Sequence, residues 1–332
     1  MLRGSARVHL VPASGFQAQS TECTAPATLQ AVPAPAIAQL PDVRRALLRW
    51  HRRNGLQAPW RESRDPYHCL VAAVMAQQTQ MRRVMPSYER FIAAFPTIEA
   101  LAAATPGDVI RVWAGMGYNQ RAVRLHRAAR RIVRDGWPQD AAGLARIEGI
   151  GPFTAAIIAS FAFGKPAACV DTNVRRVLGR LAGDERMAAP QLQRLADAAI
   201  ARRSPARWNQ AVMDYGARVC VARPKCGECV VAQWCVSRAQ VDPGPARLGE
   251  RRAVYRTRRQ QKPYEGSPRW YRGRIIDALR ALPRGRGLTV EALATRTANG
   301  AAPDPAFALD LIRQLERDHL VVRRGNRVRL PD

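Results

Sequence analysis

The chain has 332 residues, with 53 Lys and Arg against 26 Asp and Glu, giving a formal charge of +27 at neutral pH. That length allows two or three domains with a sizeable core, and that charge favours a polyanion, nucleic acid foremost, as the partner. No apolar run approaches the roughly 20 residues that cross a bilayer, and no phosphate loop of the G-x-x-x-x-G-K type occurs, so a membrane protein and a nucleotide-driven enzyme are set aside.

Residues 1–38 are rich in Ala, Pro, Gln, Ser and Thr and read as a disordered leader. Helical periodicity begins at Val43, with Leu47, Leu48 and Trp50 on one face. After a loop, Leu70 to Met75 is continuously apolar and runs into Gln77, Gln78, Thr79 and Gln80. Adjacent amides at the end of an apolar helix either satisfy internal groups or contact bases, and the internal role is favoured. Helical segments follow at Pro86–Phe95 and Pro106–Ala114, then the turn Gly115, Met116, Gly117, Tyr118. Arg121, Arg124, Arg127, Arg130, Arg131 and Arg134 recur at helical spacing, either a solvated face or a phosphate-facing stripe.

The stretch Ile147 to Asp171 is the most informative. Gly149 and Gly151 bracket Ile150, allowing a tight backbone bend whose N–H groups could approach a phosphate. Phe153 to Phe163 reads as a buried helix ended by Gly164 and Pro166. Asp171 then opens a further helical pattern (Val174, Val177, Leu178, Leu181), near whose positive end a carboxylate is favoured. Helices continue at Gln191–Ile200 and Trp208–Val219, so the body is mainly α-helical.

Of seven cysteines, Cys220, Cys226, Cys229 and Cys235 fall within sixteen residues. Such density points to a soft metal centre, zinc or iron–sulfur, and the spacing does not choose between them. Cys69 and Cys169 sit in apolar surroundings as small buried hydrophobes. Residues 237–264 form a basic Pro- and Gly-rich linker. In the last segment, Ile275, Leu279 and Leu282 mark one helix, Val290 to Ala294 a second and Phe307 to Leu315 a third. A terminal hairpin turns at Gly325 and Asn326, giving a winged-helix-like unit over 265–332.

Taken in order, DPYHCLVAAVMAQQTQ, GMGYNQRAVRLHRAA, IEGIGPFTAAIIASFAFG, VDTNVRRVLGR and WNQAVMDYGARVC resemble the helix-hairpin-helix DNA glycosylases, closest to the adenine-DNA glycosylase (MutY) branch. The resemblance covers about Val43 to Cys235 and implies a two-lobed glycosylase domain over 39–236. It further implies double-stranded DNA with a mismatched or damaged base in the cleft, excision of a flipped-out base, and a 4Fe-4S cluster on Cys220, Cys226, Cys229 and Cys235. Carried over by position, it makes Asp171 the catalytic carboxylate. Gly149, Ile150, Gly151, Phe153 and Thr154 become DNA-gripping, and Gln77, Gln78, Tyr118 and Asn173 lie at the lesion. Asp214 falls near the base pocket. A soluble, monomeric, cytoplasmic and nucleoid-associated repair enzyme is the corresponding expectation.

Departures from the family pattern sharpen this. Phe153 stands where bifunctional relatives carry a lysine, so a monofunctional enzyme is expected. Ala73 stands where adenine-removing relatives carry a glutamate, the general acid that protonates the purine. The first cysteine loop is one residue shorter than usual, and Glu148 replaces the usual hairpin proline. The C-terminal unit does not resemble the Nudix-like domain of larger adenine glycosylases. Adenine opposite guanine or 8-oxoguanine is the leading substrate. The alternatives are uracil or thymine in mismatches, and a catalytically impaired or engineered variant that only binds DNA.

Overall fold

The computed structural model describes residues 39–238, 264–298 and 304–332. The expected leader and nearly all of the expected basic linker therefore lie outside the described residues. Among the described residues no helix is long and apolar enough to cross a membrane.

Helix α1 (Leu40–Asn54) places Leu40, Val43 and Leu47 on its buried face. The chain then crosses through the single turn α2 (Pro59–Glu62) to α3 (Pro66–Ala76). Asp65 caps α3 by accepting a hydrogen bond from the Tyr67 N–H at 2.7 Å, and every residue from Cys69 to Met75 is buried. A helix apolar on all sides must be enclosed, and α3 forms the centre of a first lobe. Around it pack α4 (Met81–Ala94), α5 (Ile98–Ala103), α6 (Pro106–Val112), α7 (Gln120–Asp135), α8 (Ala141–Ala145) and α9 (Pro152–Phe161). The helix expected from Pro86 begins five residues earlier, because Pro86 lies inside α4.

The chain then returns to α1 and builds a second lobe from α10 (Thr172–Ala182), α11 (Ala189–Ala199) and α12 (Pro205–Arg218). The cysteine loop follows α12 and makes two short 3-10 turns, Cys226–Glu228 and Ala232–Trp234. Val231 plugs this loop into the second core.

The last elements are α13 (Pro268–Arg280), β1 (Gly287–Thr289), α14 (Val290–Thr297), α15 (Pro305–Arg317), β2 (Val322–Arg324) and β3 (Arg327–Arg329). The three helices and the hairpin fall where the sequence placed them, and β1 is an addition. It pairs antiparallel with β3, giving strand order β1-β3-β2. Three residues with a single β-branched side chain carry too weak an alternation to be read in advance.

This unit is docked onto the first lobe. Ile110 of α6 and Val123 of α7 belong to its apolar core. Arg111 donates to the carbonyls of Arg280 and Leu282, each at 2.7 Å, and Arg280 donates to the Ile110 carbonyl at 2.8 Å. The Gly107 N–H donates to the Pro331 carbonyl at 2.7 Å, where a Cβ would meet that oxygen at 2.4 Å. Glycine is thus required at 107 for the C-terminus to seat.

Candidate functional site at the junction of the two lobes

The hairpin joins α8 to α9. Gly149 has φ +88°, and a Cβ there would lie 2.8 Å from the Arg124 Cβ, so both backbone and packing demand glycine. Gly151, the N-cap of α9, has an ordinary φ of −76°, and a Cβ would meet nothing within 4 Å. The protein interior therefore explains Gly149 and leaves Gly151 unexplained. No side chain caps α9, so its first-turn N–H groups remain without that partner.

The side chains of two residues of the expected DNA-gripping hairpin turn inward. The Ile150 side chain is 2% exposed and belongs to the first core. The Thr154 hydroxyl is buried and accepts a hydrogen bond from Gln77 Nε2 at 3.2 Å. A β-branched residue between two glycines anchors such a turn, and a threonine on a buried helix needs an internal partner. Phe153 is half-buried against a small cluster of Ala73, Ala156, Ile157 and Cys169. Glu148 does not burden the hairpin, since Arg127 donates to it at 3.1 Å.

Asp171 lies two residues after Cys169. Its Oδ1 accepts the Val174 N–H at 2.7 Å, making it the N-cap of α10, and its Oδ2 accepts from Asn173 Nδ2 at 3.1 Å. Burial pushes its carboxyl above the ordinary aspartate value, against those hydrogen bonds and the nearby Arg176 charge. Two residues that the sequence did not single out hold it there. Asn209 accepts the Cys169 N–H at 3.1 Å and donates to the Ser160 hydroxyl and the Ala167 carbonyl, tying the approach to Asp171 onto α9. Arg176 donates to Asn173 Oδ1 at 2.8 Å and to the Cys220 carbonyl at 2.6 Å. A chain of two side chains thus links Asp171 to the first cysteine of the loop. The signal for Arg176 was its place one turn into α10, but nothing local distinguished it from its neighbour Arg175.

Asp214 is engaged by donors from the protein interior. It accepts two hydrogen bonds from Arg61, at 2.6 and 2.8 Å, and the Leu56 N–H at 2.9 Å, with His51 Nε2 3.4 Å away. Burial alone would raise its carboxyl, but these donors outweigh that and hold it well below the ordinary value. Its lone pairs are committed to the interior.

Gln78 and Tyr118 are exposed and hold left-handed backbone, with φ +54° and +45°. Such conformations cost non-glycine residues on the order of 1–3 kcal/mol. One side chain stabilises both loops, and it is a member of the presumed basic stripe. Arg121 is buried, and its guanidinium donates to the carbonyls of Val74, Met75, Gln77 and Met116 and to the Thr79 hydroxyl, between 2.6 and 3.1 Å. It also stacks 5.5 Å from the Trp113 and Tyr118 ring centroids. Burial lowers its pKa to about 10, so it stays charged at neutral pH. The stripe is therefore mixed: Arg121 is an internal clamp, and Arg124, Arg130, Arg131 and Arg134 remain exposed.

Cys220, Cys226, Cys229 and Cys235 form no disulfide. Among the described residues no three His, Cys, Asp or Glu side chains converge as ligands of a metal ion. The four thiols nevertheless share one electrostatic neighbourhood. Burial pushes Cys235 up to about 11, and Cys229, Cys220 and Cys226 each add to that rise. Arg180 Nη1 lies 3.6 Å from the Cys220 sulfur, and the Tyr215 hydroxyl donates to the Cys229 sulfur at 3.1 Å. Four thiols this close, with donors at the Cys220 and Cys229 sulfurs, are a soft donor set that suits a cationic, thiolate-binding centre.

Two helical lobes meeting over a glycine hairpin and a lone, half-buried carboxylate define the class of helix-hairpin-helix repair proteins. Residues 71–201 match the HhH-GPD superfamily base excision DNA repair proteins. An adenine DNA glycosylase of Mycobacterium tuberculosis (strain CDC 1551 / Oshkosh) is 37% identical over 248 residues, 71% of this chain and 77% of that protein. The adenine DNA glycosylase of Homo sapiens is 35% identical over 224 residues, 62% of this chain and 41% of that protein. Among solved structures, a thermostable thymine-DNA glycosylase matches with TM-score 0.58 at 26% identity, over 61% of this chain and 98% of that one. An endonuclease III–DNA complex shares the fold with TM-score 0.54 at 20% identity, over 61% and 97%. The chain belongs to the HhH-GPD superfamily of base excision DNA repair proteins, in the family of the adenine DNA glycosylases.

Proposed function

We propose that this chain is a monofunctional DNA glycosylase that hydrolyses the N-glycosidic bond of adenine flipped out of duplex DNA, opposite guanine or 8-oxoguanine. The observation that carries the reading is Asp171, a half-buried carboxylate fixed by a helix start and Asn173, two residues beyond Cys169 of the small cluster shared with the hairpin helix. Breaking the bond builds positive charge on the sugar, and a preorganised anion stabilises it. The uncapped N–H groups of α9 at Gly151 would grip a phosphate of the strand, while Gln78 and Tyr118 enter the gap left by the base. Phe153 offers no amine, so no Schiff base forms at that position.

The cysteine loop supports a 4Fe-4S cluster held by Cys220, Cys226, Cys229 and Cys235. When bound, the cluster would close the 220–235 loop through metal–thiolate bonds and hold it on the second lobe. The link from the Cys220 carbonyl through Arg176 and Asn173 would pass that rigidity to Asp171.

A second reading has its own support. Ala73 provides no carboxylic acid to protonate a purine, and a pyrimidine leaves without that help. A thymine-DNA glycosylase is among the structural relatives. Single-turnover excision on duplexes with adenine opposite guanine or 8-oxoguanine, and with uracil or thymine opposite guanine, decides between the two. Asp171→Asn is the control, since asparagine also caps a helix and so keeps the fold. Excision of adenine, lost in Asp171→Asn, is the expected result; excision of uracil or thymine alone would replace the substrate, and excision of none with tight duplex binding would overturn the enzyme.

A further inference from the structure

The outer face of the C-terminal sheet carries charge that the protein itself leaves unbalanced. Directly paired residues of an antiparallel ladder share a face. Val328 of β3 is fully buried, so its partners Leu288 and Arg323 lie on the core side of the sheet. The other side bears the pairs Val322 with Arg329 and Arg324 with Arg327, to which β1 adds only Gly287 and Thr289. Arg324, Arg327 and Arg329 thus share one face with little else to cover them.

The closest of these pairs is the least compensated. Arg324 and Arg327 are exposed and stand directly opposite each other across the Gly325–Asn326 turn. Like charges in that position destabilise a hairpin. Arg329 is paired with Asp332, and on the core side Arg323 lies 3.5 Å from Glu316. Arg327 donates only to an uncharged group, the Gly287 carbonyl at 3.3 Å, and among the described residues Arg324 has no ion-pair partner. The turn is also fastened. The Val290 N–H donates to the Asn326 carbonyl at 3.1 Å, and Asn326 Nδ2 donates to Glu291 Oε2 at 2.8 Å, which ties the turn to the start of α14 and engages that carboxylate. Two guanidinium groups held side by side without a counter-charge match neighbouring phosphates of a nucleic-acid backbone.

Position selects the part of the nucleic acid. Gln120, two residues beyond Tyr118, donates to Asp318 Oδ1 at 2.5 Å, and Leu320 and Tyr118 line one concavity. The chain therefore enters β2 beside the turn assigned above to the gap left by the base. From Leu320 to Arg324 it advances at most about 13 Å, at roughly 3.3 Å per residue. A duplex advances about 3.4 Å per base pair, so the arginine pair stands within about four base pairs of that turn, alongside duplex that is still paired.

We propose that Arg324 and Arg327 form a contact for the phosphate backbone of the paired duplex flanking the excised base on one side. The contact reads no sequence, because it meets phosphates and not base edges. The fold bears the repulsion between the two arginines, and the duplex relieves it. The inference rests on the duplex-binding function proposed above.

The test measures the salt dependence of the binding constant of the full chain on three duplexes that carry a stable tetrahydrofuran abasic nucleotide. One has long arms on both sides; in each of the others, one arm stops about two base pairs from the abasic nucleotide, short of the arginine pair. On the long duplex, Arg324→Gln with Arg327→Gln should reduce the steepness of log K against log salt by about 2. Native chain and double variant should share one slope on the duplex that lacks the arm over the sheet, and keep the full difference on the other. The double variant should melt no lower than the native chain, because it removes opposed like charges. Equal slopes on the long duplex overturn the arginine contact, and a lower melting temperature in the variant overturns the internal repulsion. A difference that persists on both truncated duplexes overturns the placement on flanking duplex, whereas a native chain that binds none of the three overturns the DNA function as well.

Discussion

At position 73 the chain carries a methyl group where the resemblance to the adenine-removing glycosylases leads one to expect an acid, and its surroundings define what an acid there would do. Ala73 is 8% exposed among Ala156, Ile157 and Cys169. A carboxyl in that setting is desolvated and held protonated, the state that a general acid needs. Ala73→Glu is accordingly expected to raise single-turnover adenine excision about 10²- to 10⁴-fold. No gain should appear when Asp171→Asn is also present, and an unchanged rate would place purine protonation elsewhere. On the proposed mechanism Asp171 sets the acid side of the pH profile. Its pKa is raised, so its ionised fraction falls away at a higher pH than that of an ordinary aspartate. The acid limb of the single-turnover rate should therefore lie above about pH 3.9. A limb at or below that value would remove Asp171 as the group being titrated.

Among the elements, the hairpin separates what the fold needs from what a ligand would need. Gly149 is fixed by its positive φ and by Arg124, whereas Gly151 faces open space. Gly149→Ala should lower stability by roughly 1–3 kcal/mol, read by urea or thermal unfolding. Gly151→Ala should leave unfolding unchanged and weaken duplex binding, because its methyl would stand where a phosphate approaches α9. Equal loss of stability in both variants would remove the distinction. The pattern G-I-G was legible in the sequence as a bend, but the different demands on its two glycines depend on α7, a neighbour in space.

For the whole molecule, the decisive contact joins the lobes. Arg61 follows Trp60 in the first core, and Asp214 lies beside Tyr215 in the second. Removing one member of such a buried pair leaves a desolvated charge and typically costs about 3–5 kcal/mol, so Arg61→Ala should lower the unfolding free energy by that order. The pH dependence has a definite sign. The folded pKa of Asp214 is depressed, so its contribution is fully present above the unfolded value and is lost as pH falls through the folded one. Arg61→Ala should flatten the acid side of a stability–pH curve; a parallel curve would assign acid sensitivity to other carboxylates.

The sequence by itself determined the helical body, the hairpin, the Asp171 helix start and the four-cysteine loop. Each is written in short-range terms: apolar period, glycine and proline punctuation, a capping acid, thiol spacing. Only the tertiary structure decided that the Ile150 and Thr154 side chains face inward, that Asp214 is paired with Arg61 of the other lobe, and that Arg121 is an internal clamp rather than a solvated member of the stripe. It also decided that the C-terminal unit is seated on α6 and α7. The physical reason is the same throughout. Whether a polar or charged side chain meets water, a ligand or an internal partner depends on residues 40 to more than 150 positions away, and no local pattern carries that information.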